Sequence, residues 1–363
     1  MFKSKIVFIA FALIGIFIYC TILDWTKGTS VFIEYNENDL FKNNQESFKN
    51  KNIQFKQPTY SDNKINLTNF NYSGKCGNVF KYKQNNKRDL IFTAIKYNTN
   101  FTWRKHKPYI IESTNLMKNT IPNAKKVCIL YDNNNELKQF VEECGFEVIE
   151  VFNEGSKIKK INAAIDRFLQ LEKYLSIHKN EFDRVALIDF RDVYFFADGF
   201  QTISSDEVVF TEECVHRYGY DTICFDYTQN TNYRWMKKCY GKEVADRYRK
   251  ERKHINNVGV IMGGIKPFSE LLNVFVNEIK RKSDVLTIWG IDNAMLNYLR
   301  YSGAFNGINV TFNTYSQRLA FVGGGIGGYN YDEVRKSIIN TIDGCSPIIR
   351  HKLGGNKKVQ FGI

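Results

Sequence analysis

Mostly apolar runs alternate with stretches of helical periodicity along the middle of the chain. The runs that predict buried strands lie at residues 90–95, 126–132, 146–152 and 184–188. The stretches whose apolar residues fall on one helical face lie at residues 110–121, 137–144 and 161–178. Pro122 and Gly145 end the first two helices. This alternation indicates an α/β fold with a mainly parallel sheet that helices cover on both faces.

The regularity loosens after residue 206, where only residues 258–262 and 348–349 predict further strands. The chain carries no internal repeat. We therefore predict one α/β domain over residues 89–363, whose second half contributes to substrate binding. Sheets of this kind bind ligands outside the carboxyl ends of their strands, so candidate chemistry is expected there.

An apolar segment stands near the amino terminus. Residues 6–23 are 18 residues without a charge, preceded by Lys3 and Lys5. A membrane-spanning helix needs about 17–25 apolar residues, whereas the apolar part of a cleaved signal peptide has about 7–15. The lysines favour a cytosolic amino terminus. Residues 1–5 are thus predicted as a cytosolic tail and 6–23 as a signal anchor.

The predicted anchor makes the chain a single-pass type II protein of the Golgi or ER membrane, with its domain in the lumen. Cleavage near Cys20 is the alternative and would give a secreted protein. Residues 24–88 are rich in Asn and Lys without a sustained apolar period, which predicts a stem between bilayer and domain. The alternative is an ordered extension packed on the domain, with Cys76 as a covalent staple.

Composition narrows the class of protein. Of 363 residues, 43% are hydrophobic and 15% aromatic, which excludes a wholly disordered chain. The 51 Lys and Arg outnumber 38 Asp and Glu and give a formal net charge of +13. Such a charge suits nucleic acid, an anionic membrane surface or a phosphate-bearing substrate. Because the basic residues are scattered and no nucleic-acid-binding motif is present, no nucleic-acid partner is predicted.

Cysteines and sequons agree with a luminal domain. Seven of the eight Cys lie beyond the apolar segment, which allows up to three disulfides whose pairing the sequence does not define. Disulfides or buried thiols are the preferred interpretation over zinc, because no C-x-x-C pair accompanies His216. The N-glycosylation sequons are at Asn66, Asn71, Asn100 and Asn309.

Two carboxylates follow the strand predicted at residues 184–188. Asp189 and Asp192 stand three residues apart and precede another apolar run at 193–196. Carboxylate oxygens suit Mg²⁺ and Mn²⁺, which neutralise a diphosphate, and the second carboxylate would orient the ion or bind a ribose. The alternative is a turn in which Asp189 caps the chain and Arg191 pairs with Asp192.

Three further motifs carry candidate chemistry. Asn257 and Gly259 begin a strand, where the glycine lets a backbone approach a ligand or forms a tight turn. Asp292 and Asn293 lie in the first turn of an amphipathic helix, where they would hold a sugar hydroxyl or stabilise the helix terminus.

The last motif is His351, followed by Gly354 and Lys357. The histidine can complete a metal site, the glycine admits a phosphate, and the lysine supplies a point charge. The alternative is a basic, solvated tail.

The order of these motifs resembles a known family. A D-x-D-like pair after a strand, N-x-G-V, a G-x-D-Q-like helix start and H-x-x-G-x-x-K look like the retaining glycogenin- and galactinol-synthase-like nucleotide-sugar glycosyltransferases. Residues 187–195 are also similar to the D-x-R-D-V stretch of eukaryotic glycosyltransferase-like proteins. The resemblance covers about residues 89–357 and implies a GT-A-type, Rossmann-like sheet. The anchor and stem also match the layout of Golgi glycosyltransferases.

The resemblance implies a metal-dependent hexosyltransferase that retains anomeric configuration. Its donor would be a nucleoside-diphosphate sugar, with UDP favoured, and its acceptor a glycan, glycoprotein or glycolipid. It implies a Mn²⁺ or Mg²⁺ ion held by Asp189, Asp192 and His351.

Further roles are carried over from the same family. Asn257 and Gly259 would form the wall beside acceptor or donor, and Asp292 would lie near the transferred sugar. Lys357 would contact the donor diphosphate. The remaining residues expected to bind the donor are Arg191 and Gly354, with Thr93, Ala94 and Tyr97 lining the nucleotide by analogy of fold.

Three features differ from the family pattern. The acidic pair is D-x-x-D, Asn293 stands in place of the usual Gln, and Lys358-Val359 replace Pro-Trp. Which Asp dominates metal binding stays open. These differences motivate an alternative, a non-catalytic carbohydrate-binding or scaffold protein on the same fold. A third alternative is a secreted basic adhesion or phosphate-binding protein without this fold. It is disfavoured because a conventional disulfide-rich adhesion domain would lack the strand–helix alternation seen in this chain.

Overall fold

The computed structural model describes residues 65–97, 100–151, 161–212, 231–313, 317–318, 320–321, 329–332, 334–340 and 343–351. The predicted cytosolic tail and anchor, most of the stem, Gly354 and Lys357 lie outside these residues. Among the helices that are described, none combines the length and apolar character that a bilayer crossing requires.

Strands and helices alternate through the first half of the described chain. The strands are β1 (Asp89–Ile95), β2 (Lys125–Leu130), β3 (Glu147–Glu150), β4 (Arg184–Ile188), β5 (Val193–Phe195), β6 (Val208–Glu212), β7 (Asn256–Gly264), β8 (Val310–Asn313), β9 (Ala320–Phe321), β10 (Tyr329–Asp332), β11 (Ser337–Asn340) and β12 (Ile349–His351). The α-helices are α1 (Asn100–Thr120), α2 (Asn135–Glu143), α3 (Ala163–His178), α4 (Thr231–Tyr240), α5 (Lys242–Lys250), α6 (Ile265–Arg281) and α7 (Ile291–Tyr301).

The central sheet has seven described strands in the order β3-β2-β1-β4-β7-β6-β8. Strands β3, β2, β1 and β4 run parallel to one another, and β8 runs parallel to β6. Only β7 is antiparallel to its neighbours β4 and β6. The prediction of a mainly parallel α/β sheet flanked by helices is therefore confirmed.

Helices cover both faces of this sheet because its strands are apolar on both sides. Leu90 and Phe92 of β1 belong to a core beneath α3 and α6, where Phe168 and Phe275 stack with ring centroids 4.2 Å apart. Ile91, between them, faces the opposite core under α1 and α2. This alternation is the period-two geometry of a strand, and it buries a near-continuous apolar run.

The predicted elements are present with shifted bounds. The helix expected from residue 110 begins at Asn100, and Pro108 lies inside it as an exposed residue. The residues before 110 are mainly polar or basic, so the apolar period does not extend to the true start. The predicted stop at Gly145 is confirmed, since this glycine adopts φ +91° directly after α2.

Residues 65–88 fall within the predicted stem, yet they pack against the α/β domain. A disulfide joins Cys76 to Cys345. The Tyr72 hydroxyl donates to the Pro347 carbonyl at 2.8 Å, and the Asn71 amide donates to Gly344 at 2.9 Å. This part of the chain is the ordered extension that the alternative interpretation of the segment expects, with Cys76 as its staple.

A small three-stranded sheet carries the carboxyl-terminal end of the described chain. Strand β12 runs antiparallel to β5 and parallel to β9. In this register His351 lies opposite Val193, the residue directly after Asp192. The sheet thereby brings the end of β12 to the loop that follows β4.

Candidate metal centre

Three potential metal ligands meet at the carboxyl end of β4. Asp189 directly follows the strand, and its backbone N–H donates to the Gly259 carbonyl on β7 at 2.8 Å. Asp192 directly precedes β5, and the β5–β12 pairing brings His351 beside it. The two carboxylates and the imidazole come from positions about 160 residues apart in sequence, as expected for a site built by sheet pairing.

The donor atoms are spaced as ligands of one ion. His351 Nε2 lies 3.2 Å from Asp189 Oδ2 and 3.6 Å from Asp192 Oδ1. Ligand atoms from all three residues lie within 4.8 Å of one another. Neighbouring ligands at right angles around an ion at about 2.1 Å stand about 3 Å apart. Two carboxylates and one imidazole also form a suitable ligand set for Mn²⁺ or Mg²⁺, so the residues fit the predicted metal.

The site is open on its carboxylate side and closed on its histidine side. The Asp189 and Asp192 side chains are 30% and 14% exposed, whereas the His351 side chain is fully buried. A ligand can therefore approach from the carboxylates while the imidazole is fixed by the fold.

Gly259 is the residue that makes room for the imidazole. A Cβ at this position would lie 2.5 Å from His351 Nε2 and 2.7 Å from Nδ1, distances too short for any side chain. The backbone N–H of Gly259 donates to the Asn257 side-chain oxygen at 2.7 Å. The N-x-G motif thus contributes close backbone approach at the metal site, while the buried Asn257 amide supports its own strand.

Arg167 on α3 connects two of the predicted site residues. Its side chain is 5% exposed and forms an ion pair with Asp189, and its Nη2 lies 3.7 Å from Asp292 Oδ2 and 3.2 Å from the Val258 carbonyl. Arg167 was not among the site residues predicted from the sequence. The sequence did contain a signal, because Arg167 stands next to Phe168 on an apolar helical face. A buried arginine is rare unless it is paired, so this position indicated a partner nearby.

Asp292 lies at the second position of α7 and is 4% exposed. Burial raises the pKa of its carboxyl to about 6, with Asp189 adding to the increase and Arg167 opposing it. The neighbouring Asn293 amide donates to Asn232 at 2.6 Å and accepts from the Val258 N–H at 3.2 Å. Asp292 is thus connected to the metal centre through Arg167, while Asn293 ties α4, α7 and β7 together.

The residues expected to line the nucleotide lie at the end of β1, the same sheet edge as Asp189. Thr93 is buried and its hydroxyl donates to the Ile188 carbonyl at 2.8 Å, so it joins β1 to β4 inside the sheet. Ala94 and Tyr97 are partly buried. Burial raises the pKa of the Tyr97 hydroxyl to about 12.

Arg191 projects at the carboxylate side of the centre. Its Nη2 lies 3.8 Å from Asp192 Oδ2, and its Nη1 lies 3.2 Å from His106 Nε2. Burial, followed by the charge of Arg191, lowers the pKa of His106 to about 4, which keeps this imidazole neutral near pH 7. The guanidinium is 45% exposed and therefore open to an anionic ligand.

No protein-family model matches the chain, and no curated protein matches it. A functional assignment therefore rests on the motifs and on the geometry of the metal centre.

Proposed function

We propose that this protein is a metal-dependent glycosyltransferase of the GT-A type. It moves a hexose-type sugar, with retention of configuration, from a nucleoside-diphosphate donor, with UDP favoured, to a glycan, glycoprotein or glycolipid in the secretory pathway. The observation that carries the proposal is the convergence of Asp189, Asp192 and His351 at the carboxyl end of a strand in a mainly parallel sheet.

The three ligands would hold a Mn²⁺ or Mg²⁺ ion. When bound, such an ion neutralises charge on the leaving diphosphate. The carboxylates of Asp189 and Asp192 are partly exposed and would be accessible to the donor. The buried His351 would hold the ion from the interior side of the site. Arg191 is exposed beside Asp192, so its guanidinium can contact a phosphate oxygen directly.

Arg167 and Asp292 give this site a second, buried layer. Arg167 balances the charges of Asp189 and Asp292 and holds both carboxylates in one arrangement. Asp292 is then fixed on the α7 side of the centre, where the family resemblance expects the acid near the transferred sugar. Lys357 is proposed as the lysine that contacts the donor diphosphate.

The test is donor turnover by the full chain. UDP- and GDP-sugars are supplied with Mn²⁺ or with EDTA, and nucleotide release is measured for the wild type, Asp192→Asn and Asp206→Asn. Asp206 is an exposed aspartate between β5 and β6 and serves as the matched control. We expect EDTA to abolish release and Asp192→Asn to lower it by on the order of a hundredfold or more, because a metal ligand is lost.

Turnover that is insensitive to both EDTA and Asp192→Asn would contradict the proposal. Absence of Mn²⁺-dependent binding to any donor, in a protein shown to be folded, would instead support the non-catalytic carbohydrate-binding or scaffold alternative. Equal losses in Asp206→Asn and Asp192→Asn would show that the effect is not specific to the metal centre.

A further inference from the structure

Trp289 is a large aromatic side chain that the fold leaves on the surface. It is 68% exposed, whereas tryptophan is on average among the most buried residues. The other exposed large hydrophobic residues in the described part of the chain are Tyr82, Ile177 and Val334. Of these four, Trp289 alone lies within three residues of a predicted site residue, Asp292.

The backbone that carries Trp289 is held firmly. The next residue, Gly290, adopts φ +81°, and a Cβ there would overlap the indole of Trp235 on α4. Further back in the loop, the Leu286 carbonyl accepts from the Asn162 N–H at 2.9 Å, and the Ile288 N–H donates to Val285 at 3.0 Å. Trp289 is therefore displayed from a fixed turn whose next residue, Gly290, packs against Trp235.

This turn lies beside the candidate site. Three peptide units separate Trp289 from Asp292, so their Cα atoms are at most about 11 Å apart. Asp292 contacts Arg167, which contacts Asp189 of the metal centre. Trp289 thus directly precedes the turn that leads into α7, the helix that carries Asp292.

The surroundings of Trp289 indicate the chemistry of its ligand. Along the described chain before it, Ser283, Asp284 and Thr287 are exposed and polar, so the loop that carries the indole offers hydrogen-bonding groups. An apolar partner would need a contiguous apolar patch. A pyranose ring instead offers one face of C–H groups, which packs on an aromatic ring, and an edge of hydroxyls, which bind polar neighbours.

We infer that Trp289, held on a turn that packs against Trp235 at Gly290, forms a stacking platform for a pyranose ring of the acceptor. The identification of that sugar as an acceptor rests on the proposed function. The acceptor class is then a glycan or glycoconjugate whose terminal or penultimate residue exposes an unsubstituted C–H face.

The platform is tested by saturation-transfer difference NMR with the full chain and a panel of five probes. The probes are maltotriose, cellotriose, chitotriose, mannotriose and lactose, each at millimolar concentration. The variants are Trp289→Ala and Trp289→Phe, with Tyr82→Ala as control. Tyr82 is an exposed aromatic residue next to Lys83, whose carbonyl accepts from Arg184 at the opposite end of β4.

We expect at least one probe to bind the wild type and Tyr82→Ala equally. Trp289→Ala should weaken that binding by about tenfold or more, whereas Trp289→Phe should keep it within a few-fold, because a smaller ring still stacks. Unchanged binding by Trp289→Ala, an equal loss in Tyr82→Ala, or no binding of any probe to the wild type would overturn the inference.

A parallel titration separates this inference from the proposed function. Mn²⁺-dependent binding of UDP involves the metal centre and should be the same in Trp289→Ala and the wild type. If Trp289→Ala loses sugar binding while the wild type turns over no UDP-sugar, the stacking platform is supported and the proposed transferase activity is contradicted. If turnover depends on Asp192 but Trp289→Ala changes neither the acceptor KM nor probe binding, the transferase activity is supported and the platform is contradicted.

Discussion

The imidazole of His351 lies against the Cα of Gly259, in the space that any other residue would fill with its Cβ. The two residues belong to different sheets, β12 and β7, and the contact is where the small sheet meets the central one. The close contact therefore explains both the position of His351 in the candidate metal centre and the requirement for glycine in the N-x-G motif.

Replacing Gly259 by alanine should displace the imidazole from both aspartates. We expect Gly259→Ala to lower Mn²⁺ affinity by about tenfold or more, since one of three protein ligands leaves its position. Free Mn²⁺ can be followed by electron paramagnetic resonance during titration, with thermal unfolding in EDTA as a check on folding.

A double-variant cycle makes this prediction specific. The clash exists only while His351 is present, so the stability lost in Gly259→Ala should be largely absent in the His351→Ala background. Additive losses would contradict the steric explanation.

Arg167 should be important for stability because it neutralises the buried carboxylate of Asp292 as well as the partly exposed carboxylate of Asp189. Arg167→Met is expected to lower the free energy of unfolding by about 3–5 kcal/mol, the usual result of leaving a buried charge unpaired. Urea unfolding measures this, and the double variant Arg167→Met/Asp292→Asn should recover part of the loss.

The matched control for Arg167 is Arg88→Met. Arg88 also pairs with an aspartate, Asp183, but their side chains are 49% and 45% exposed. Its loss should cost less than about 1 kcal/mol. Similar effects of the two substitutions would refute the buried-charge argument.

The carboxyl of Asp292 should make stability fall as pH rises. Its pKa is about 6 in the folded protein against an ordinary value of 3.8, so the folded state holds the proton more strongly than the unfolded state. Between these two values the free energy of unfolding should decrease with pH, by up to roughly 3 kcal/mol, and remain lower above pH 6.

This pH dependence is isolated by comparison with Asp292→Asn. Urea unfolding in EDTA at about pH 4.5 and about pH 7 should show a smaller decrease in the variant than in the wild type, since the amide does not titrate. An identical change in both proteins would show that Asp292 does not contribute.

Loss of the Cys76–Cys345 disulfide should destabilise the domain. Its cysteines are 269 residues apart, and bridges across long segments contribute about 3–5 kcal/mol in the chain-entropy account. Cys76→Ser/Cys345→Ser should therefore unfold at lower urea concentration. Dithiothreitol should destabilise the wild type by more than it destabilises the double variant, and equal shifts in the two proteins would contradict the prediction.

The sequence was sufficient to predict the central sheet and the three residues that form the candidate metal centre. Strands such as β1 and β4 are buried on both faces, so their apolar runs are unbroken and easily found. Asp189 and Asp192 follow directly from a strand end, and His351 was included through the family resemblance. The fold brings these three residues together.

Other features depend on contacts that no local pattern encodes. Arg167 belongs to the site only because α3 packs where its guanidinium reaches both Asp189 and Asp292. The pairing of Cys76 with Cys345 and the packing of residues 65–88 also needed the folded chain, since that segment has no regular apolar period. The exposure of Trp289 depends on the turn at Gly290 and on the position of Trp235.

The Cys76–Cys345 disulfide can form only after both cysteines have been synthesised. Cys76 is synthesised 269 residues before its partner, and His351 follows that partner by six residues. At roughly 5–20 residues per second, the ribosome needs between roughly 15 and 50 s to cover that distance. A nascent chain therefore holds Asp189 and Asp192 long before it holds His351, and the candidate centre can be completed only after Cys345 of the disulfide has also been synthesised.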